Sequence, residues 1–319
     1  MKNEIGGYMS LDANGDRCFY PRYYAFNLAR NALAVILRAR RVAKIYLPAY
    51  MCGCIFDVCD REGVPYTTYP IGMDFRPATL PQLANGEYLY IANYFGILSA
   101  QDIAAYRDRY KRVIVDNAQA FFATAVDGVD TIYTCRKFFG VSDGAYLSTD
   151  LALTQDYPDD RSADRLGPLL TRVEQDAKKG FAAYRKQEEA LDNEPIRRMS
   201  AVTQSLMACV DYDYAADKRN RNYRYLQKAL QPYNRLSLPT PQVPFAYPFW
   251  GDSALRAYLI ERRIYVPCLW PNVAEGDTGL AGQLAQHVLP LPCDQRYTQE
   301  EMQYIIDAVI DFEQAVPKA

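Results

Sequence analysis

One histidine, His287, and two tryptophans are all that 319 residues contain of those types. A single imidazole leaves no histidine pair for a metal. It also removes most Ser-His-Asp and Cys-His mechanisms, unless His287 itself reaches a nucleophile. Of the eight cysteines, Cys52, Cys54 and Cys59 cluster, yet no Cys-x-x-Cys pair occurs, so no zinc site or other metal is expected. Most sit in apolar segments (Cys54, Cys135, Cys209), where a free thiol behaves as a small hydrophobe. An excess of either charge is missing too. Thirty-six Lys and Arg face 38 acidic residues, a formal charge of -2, which speaks against a general nucleic-acid binder. The local basic clusters Arg38-Ala39-Arg40-Arg41 and Lys218-Arg219-Asn220-Arg221 read as solvated helix faces. No apolar run is long enough to span a bilayer, and Met1-Lys2-Asn3-Glu4 has no apolar signal core behind it. A cytoplasmic protein without membrane or nucleic-acid partners is expected. Internal repeats and low-complexity linkers are absent.

What remains is an ordinary globular composition, 50% apolar, in a chain long enough for one large domain and a smaller one. After an irregular opening (Gly6-Gly7, Asn14-Gly15), Leu28, Ala32, Leu33 and Ile36 recur at helical spacing and predict a helix over 27–40. A strand, Lys44-Ile45-Tyr46-Leu47, stops at Pro48, and a helix over 51–62 ends at Gly63. The strand Tyr88-Leu89-Tyr90-Ile91-Ala92 leads to the turn Asn93-Tyr94-Phe95-Gly96. Ser99 and Asp102 form a capping box that opens a helix running to Tyr110. Strands alternating with helices at this interval indicate an α/β fold, a mostly parallel sheet flanked by helices. Near residue 160 the pattern turns helical: Leu166, Leu169, Leu170 and Val173 outline one amphipathic helix, and Met199, Val202, Leu206 and Val210 another. A long polar helix through Arg219, Tyr223 and Leu226 follows, then a proline-rich stretch from Pro239 to Pro248. The last helix starts at the capping box Thr298 to Glu301. The boundary between a large domain (1–200) and a small C-terminal α+β domain (201–319) is placed near residue 200.

Two segments carry the chemistry. Val113-Ile114-Val115-Asp116-Asn117-Ala118-Gln119 is an apolar run with a carboxylate at its carboxyl end, the pattern of a buried parallel strand delivering Asp116 to a crevice. Thr134-Cys135-Arg136-Lys137 puts a lysine between two strand-like runs, 129–133 and 144–148. An acid at one strand end and a lysine after the next strand is the spacing that holds pyridoxal 5'-phosphate (PLP). The carboxylate keeps the pyridine nitrogen protonated, and the lysine amine holds the aldehyde as a Schiff base. Taken singly, a strand-end Asp is often a turn former and a lone Lys a surface charge. The pair in this order points to the cofactor.

With these residues in hand, the chain resembles fold-type I PLP-dependent enzymes, and most closely the DegT-like sugar aminotransferases. The likeness takes in Ile5-Gly6-Gly7-Tyr8, Leu47-Pro48-Ala49-Tyr50, Asn93-Tyr94-Phe95-Gly96, Asp116 to Gln119, the lysine segment, and Leu289-Pro290-Leu291-Pro292. Only the Asp-x-x-Gln and lysine elements are specific. The resemblance implies Lys137 as Schiff-base lysine and Asp116 as partner of the pyridine nitrogen, with Gln119 near the ring hydroxyl. Asn93 either reaches that hydroxyl or serves as a turn residue before Gly96. Phosphate would lie on the amino end of the first helix, Ala29-Arg30-Asn31. Thr134 is either a further donor or a plain strand-end threonine. Cys52, with Tyr50 nearby, falls where many members place an aromatic ring over the cofactor. Ser142-Asp143-Gly144-Ala145 stands where the family has a glycine-rich turn, and the chain is short for the family.

The expected activity is amino transfer from an amino acid to a keto acceptor. By resemblance the acceptor is a nucleotide-linked keto-sugar and the donor glutamate, in a homodimer whose subunits complete each other's sites. Three readings stay open beside it. The same lysine and acid serve PLP-dependent lyases, decarboxylases and racemases. A PLP-fold protein can serve as regulator or scaffold. An α/β binding domain without PLP is the third.

Overall fold

The computed structural model describes residues 11, 13, 15–276 and 279–315, so Ile5-Gly6-Gly7-Tyr8 and Asn14 lie outside the described residues. The first half of the chain alternates strand and helix. It runs β1 (Tyr24–Phe26), α1 (Ala29–Ala39), β2 (Lys44–Pro48), α2 (Gly53–Glu62), β3 (Tyr66–Tyr69) and β4 (Glu87–Ala92). Then come α3 (Ala100–Tyr110), β5 (Val113–Asp116), β6 (Asp130–Thr134) and β7 (Ala145–Ser148). Local signals set the boundaries. The Ser99 side chain accepts from the Asp102 N–H while Asp102 bonds back, opening α3. Gly63 closes α2 at φ 65°, a left-handed conformation that costs glycine nothing.

All seven strands form one sheet in the order β1-β7-β6-β5-β4-β2-β3. β2 to β6 are parallel, while β7 and β1 are antiparallel to their neighbours. The register sets Ala92 opposite Asp116 and Asp116 opposite Ile132, which aligns the carboxyl ends of β4, β5 and β6. Because β3 flanks β2 on one side and β4 on the other, the strand order reverses at β2. Open sheets leave a crevice at such a switch point, outside the carboxyl ends. The central strands are buried on both faces, as Ile114, Val115, Leu89 and Ile91 show.

The second half contains α4 (Gly167–Glu174), α5 (Ala177–Ala190), α6 (Ala201–Ala208) and α7 (Tyr212–Leu230). After these come β8 (Tyr247–Trp250), α8 (Ser253–Glu261), α9 (Pro271–Gly276), α10 (Leu280–His287), β9 (Val288–Leu291) and α11 (Gln299–Ala315). β8 and β9 pair antiparallel with Pro248 opposite Pro290. Neither proline can donate a ladder hydrogen bond, so this is a non-hydrogen-bonded position where the loss costs nothing. A separate core joins this strand pair to α7, α8 and α11 through Leu226, Phe249, Leu255, Leu289 and Met302. Trp270, Leu284 and Ala285 instead pack into the core of the large sheet.

Two expectations from the sequence need correction. The basic clusters are not uniformly solvated: Arg40 pairs with the buried Asp130 at 2.8 Å, and Arg219 is itself buried. The stripe predicted on α4 is not covered by the chain, since Leu170 is 57% and Val173 84% exposed.

Candidate active site

A cleft opens where β2, β4, β5 and β6 end. Asp116, Asn93, Gln119 and Lys137 line it, together with Met51, Ala92, Tyr94, Ala118 and Trp270. Each strand delivers its residue by ending there. β5 supplies Asp116, the turn after β4 supplies Asn93 and Tyr94, and the turn after β6 supplies Lys137.

Asp116 is half-buried and fixed in direction. Its Oδ2 accepts from the Tyr90 hydroxyl at 2.9 Å and its Oδ1 from the Ala118 N–H at 2.7 Å. Burial first, and then the charge of Asp116, raises the Tyr90 phenol well above its ordinary range, so it stays a donor. Gln119 is 4% exposed; its Oε1 accepts from the Phe95 N–H at 2.8 Å, and its Nε2 has no partner. A buried carboxamide with an idle donor is costly unless a ligand takes the hydrogen bond. Lys137 is exposed and its Nζ makes no hydrogen bond or ion pair among the described residues, lying 6.0 Å from the centre of the Phe245 ring.

The lysine's turn is held from behind by Arg219. That guanidinium donates to the carbonyl oxygens of Phe138 at 3.2 Å and Pro244 at 3.0 Å, and to Gln295 Oε1 at 2.7 Å. Burial pushes its pKa down, to about 10. Arg136, beside Lys137, pairs with Glu188 of α5.

Of the other predicted residues, Ala29, Arg30, Asn31, Cys52 and Thr134 do not line the cleft. Asn93 does line it, with its Nδ2 on Asn117 Oδ1 and its Oδ1 accepting from the Leu98 N–H, the bonding of a turn residue, one of its two expected readings. Thr134 is buried, with its hydroxyl 3.5 Å from the Gly144 carbonyl. Asn31 donates to the carbonyls of Glu194 and Pro195, and Arg30 pairs with Asp192. The N-terminus of α1 has no capping side chain and no acid in its first turn, so it keeps the dipole and amides that favour an anion. Cys52 sits outside the lining but within electrostatic reach of Arg30 and Lys137. A hydrogen bond with Cys54, aided by those cations, holds its thiol down, to about 6. Tyr50 is fully buried behind the cleft against Trp270, ring centroids 4.3 Å apart.

Sequence reasoning missed Tyr90, Met51, Trp270 and Arg219. Tyr90 alone carried a signal, since it points to the same side as Asp116 from the neighbouring strand. Trp270 arrives from the far half of the chain in a left-handed conformation, φ 58°, which no local pattern announces.

The lining fits PLP by its donor set: a carboxylate fixed in direction, a buried amide donor without a partner, an unpaired amine and a nearby uncapped helix N-terminus. No protein-family model and no curated protein matches the sequence. Solved structures do match. S. venezuelae DesV in complex with a ketimine intermediate superposes with a TM-score of 0.65 at 15% identity, over 92% of this chain and 85% of that one. The sugar aminotransferase CalS13 from Micromonospora echinospora gives 0.63 at 16%, over 91% and 87%. The PLP form of Spr1654 from Streptococcus pneumoniae gives 0.63 at 13%, over 93% and 88%. At such identities the likeness speaks for architecture: this chain has the fold of the PLP-dependent aminotransferases, a mostly parallel sheet flanked by helices.

Proposed function

We propose that the chain is a DegT-like, PLP-dependent aminotransferase that moves an amino group from an amino acid to a keto-sugar. The observation that carries this reading is the convergence, in one cleft, of Asp116, the unpaired Lys137 amine and the idle Gln119 amide. The names of the similar structures agree with it, CalS13 being a sugar aminotransferase and Spr1654 occurring in a PLP form. When bound, PLP supplies an electron sink for the negative charge left on the substrate carbon.

The chain's own residues would divide the work. Lys137 would hold the aldehyde, and Asp116, steadied by Tyr90, would face the pyridine nitrogen. Gln119 Nε2 would donate to the ring hydroxyl. The amides of Ala29 and Arg30 would receive the phosphate, with Arg30 adding its charge. Once displaced by substrate, the Lys137 Nζ would take and return the proton at the amino-bearing carbon. The enclosed part of the cleft is about 10 Å³, far below the roughly 300 Å³ at which ordinary ligand sites begin, so cofactor and acceptor would occupy its open side. A nucleotide-linked acceptor would therefore extend past the mouth.

The same reading takes 1–200 as the cofactor domain and 201–319 as the covering domain, which lends Trp270 to the cleft. It also takes the protein as a cytoplasmic homodimer. The eight cysteines are all free, and no described helix is long and apolar enough to cross a membrane.

Borohydride reduction of PLP-loaded protein followed by peptide mapping tests the proposal. The label is expected on Lys137, and Lys137→Ala should abolish amino transfer while leaving the fold intact, because its side chain is exposed. Label on another lysine, or none, would sink the assignment.

A further inference from the structure

The stretch Lys218-Arg219-Asn220-Arg221, read from the sequence as a solvated face, splits in the structure. Arg219 turns inward to Phe138, while its neighbours line a groove of about 430 Å³ between α7 and the start of α11. Lys218, Arg221, Arg224 and Lys228 supply four cations to it, and Tyr225 and Gln299 complete most of its wall. Among the described residues no carboxylate lines the groove. None of the four cations makes an ion pair or hydrogen bond among the described residues, whereas arginines elsewhere, such as Arg38, Arg40, Arg76 and Arg296, are paired.

That arrangement is unfavourable for the free protein. Like charges three and four residues apart repel along a helix, and here three such steps follow one another. The groove's volume falls within the range of small-molecule sites, about 300–1,000 Å³. Arginine forks suit phosphate oxygens, and successive cations rise by about 4.5–6 Å along the helix, so neighbouring side chains can share adjacent phosphates. Tyr225 adds a ring whose hydroxyl donates to Gln303 Oε1 at 2.6 Å. A ring held in this way offers a surface for a base to stack on. A long nucleic acid would need a basic track continuing beyond the groove, and the chain's formal charge is -2.

We propose that this groove binds a nucleoside di- or triphosphate at a site separate from the Lys137 cleft. The two sites lie on opposite sides of α7, the cleft side being marked by Arg219. The inference does not rest on the aminotransferase reading.

Calorimetric titration of the full chain at low salt with ADP, inorganic pyrophosphate and adenosine tests it. ADP should bind saturably, pyrophosphate more weakly, and adenosine not at all. The Arg221→Gln/Arg224→Gln variant, checked for an unchanged thermal melt, should weaken ADP by about tenfold or more, since it removes two charge-assisted forks. Tyr225→Ala should weaken ADP but not pyrophosphate, and Lys137→Ala should leave both unchanged. Absence of ADP binding at millimolar concentration would overturn the proposal, as would its loss in Lys137→Ala. So would an oligonucleotide that binds where ADP does not, which would make the groove a nucleic-acid surface.

Discussion

A carboxylate that accepts two hydrogen bonds from its own chain cannot swing away, and Asp116 is held so by Tyr90 and Ala118. Removing one member of a buried charge pair costs about 3–5 kcal/mol, and the half-exposure of Asp116 places the expected loss at the lower end. Asp116→Ala should therefore weaken PLP retention by about a hundredfold, at roughly 1.4 kcal/mol per decade. Equilibrium dialysis reads this directly, and a variant that purifies fully yellow and active would reassign the acid. Cys52 makes a second residue-scale prediction. Its thiol is held down to about 6, first by the hydrogen bond with Cys54 and then by Lys137 and Arg30. An unfolded thiol titrates near 8.5. The stability it contributes is thus fully present above about pH 8.5 and is lost as pH falls through 6. Alkylation of Cys52 by iodoacetamide should rise with a midpoint near 6. A midpoint shared with the exposed Cys18 and Cys209 would show that the Cys54 hydrogen bond is not formed.

Between elements, Asp143 joins the sheet to α6. The sequence departs here from the glycine-rich turn of the family it resembles, and the structure shows what Asp143 does instead. Its buried carboxylate accepts from the Ser200 N–H at 2.8 Å, from the Ser200 hydroxyl at 2.7 Å and from the Thr203 hydroxyl. It thus braces the N-terminus of α6 just before β7. Asp143→Ala leaves these buried donors without an acceptor, an expected loss of about 2–3 kcal/mol. Urea unfolding should show a lower midpoint with an unchanged slope, and a loss under half a kcal/mol would mean that water replaces the carboxylate. Such long-range bonds are invisible in sequence, while the strands that build the site were legible. β2, β4 and β5 are apolar runs ended by proline, asparagine or acid, and β6 runs straight into Cys135-Arg136-Lys137, so the order Asp116 then Lys137 could be read directly. β1 and β3 are three- and four-residue edge strands rich in tyrosine, with too little burial to leave a pattern. β8 and β9 carry Pro248 and Pro290, which argue against strands until their pairing opposite each other is known. At the site, the residues on strand ends were legible; Trp270 and Arg219, brought in by tertiary packing, were not.

At the scale of the whole molecule, the single chain leaves Lys137, the proposed Schiff-base residue, open. Lys137 is exposed, and a site that protonates and deprotonates carbon works best with water excluded. Close by stands an apolar surface that no described residue covers. The hairpin of α4 and α5 exposes Leu170, Val173, Phe181 and Tyr184, and its only fully buried residue is Gly180. Helices of 8 and 14 residues gain little stability alone, so this hairpin calls for a partner surface. The Arg136–Glu188 pair ties α5 to the residue beside Lys137. The proposed homodimer would satisfy both needs at once, and stable interfaces of this kind commonly bury more than about 2,000 Å². Light scattering should give a dimer, and Val173→Asp combined with Phe181→Asp should yield a folded monomer with sharply reduced turnover. A monomer from the unaltered chain with PLP bound and activity intact would show that the cleft is complete in one subunit. A dimer that survives both substitutions would move the interface to another face.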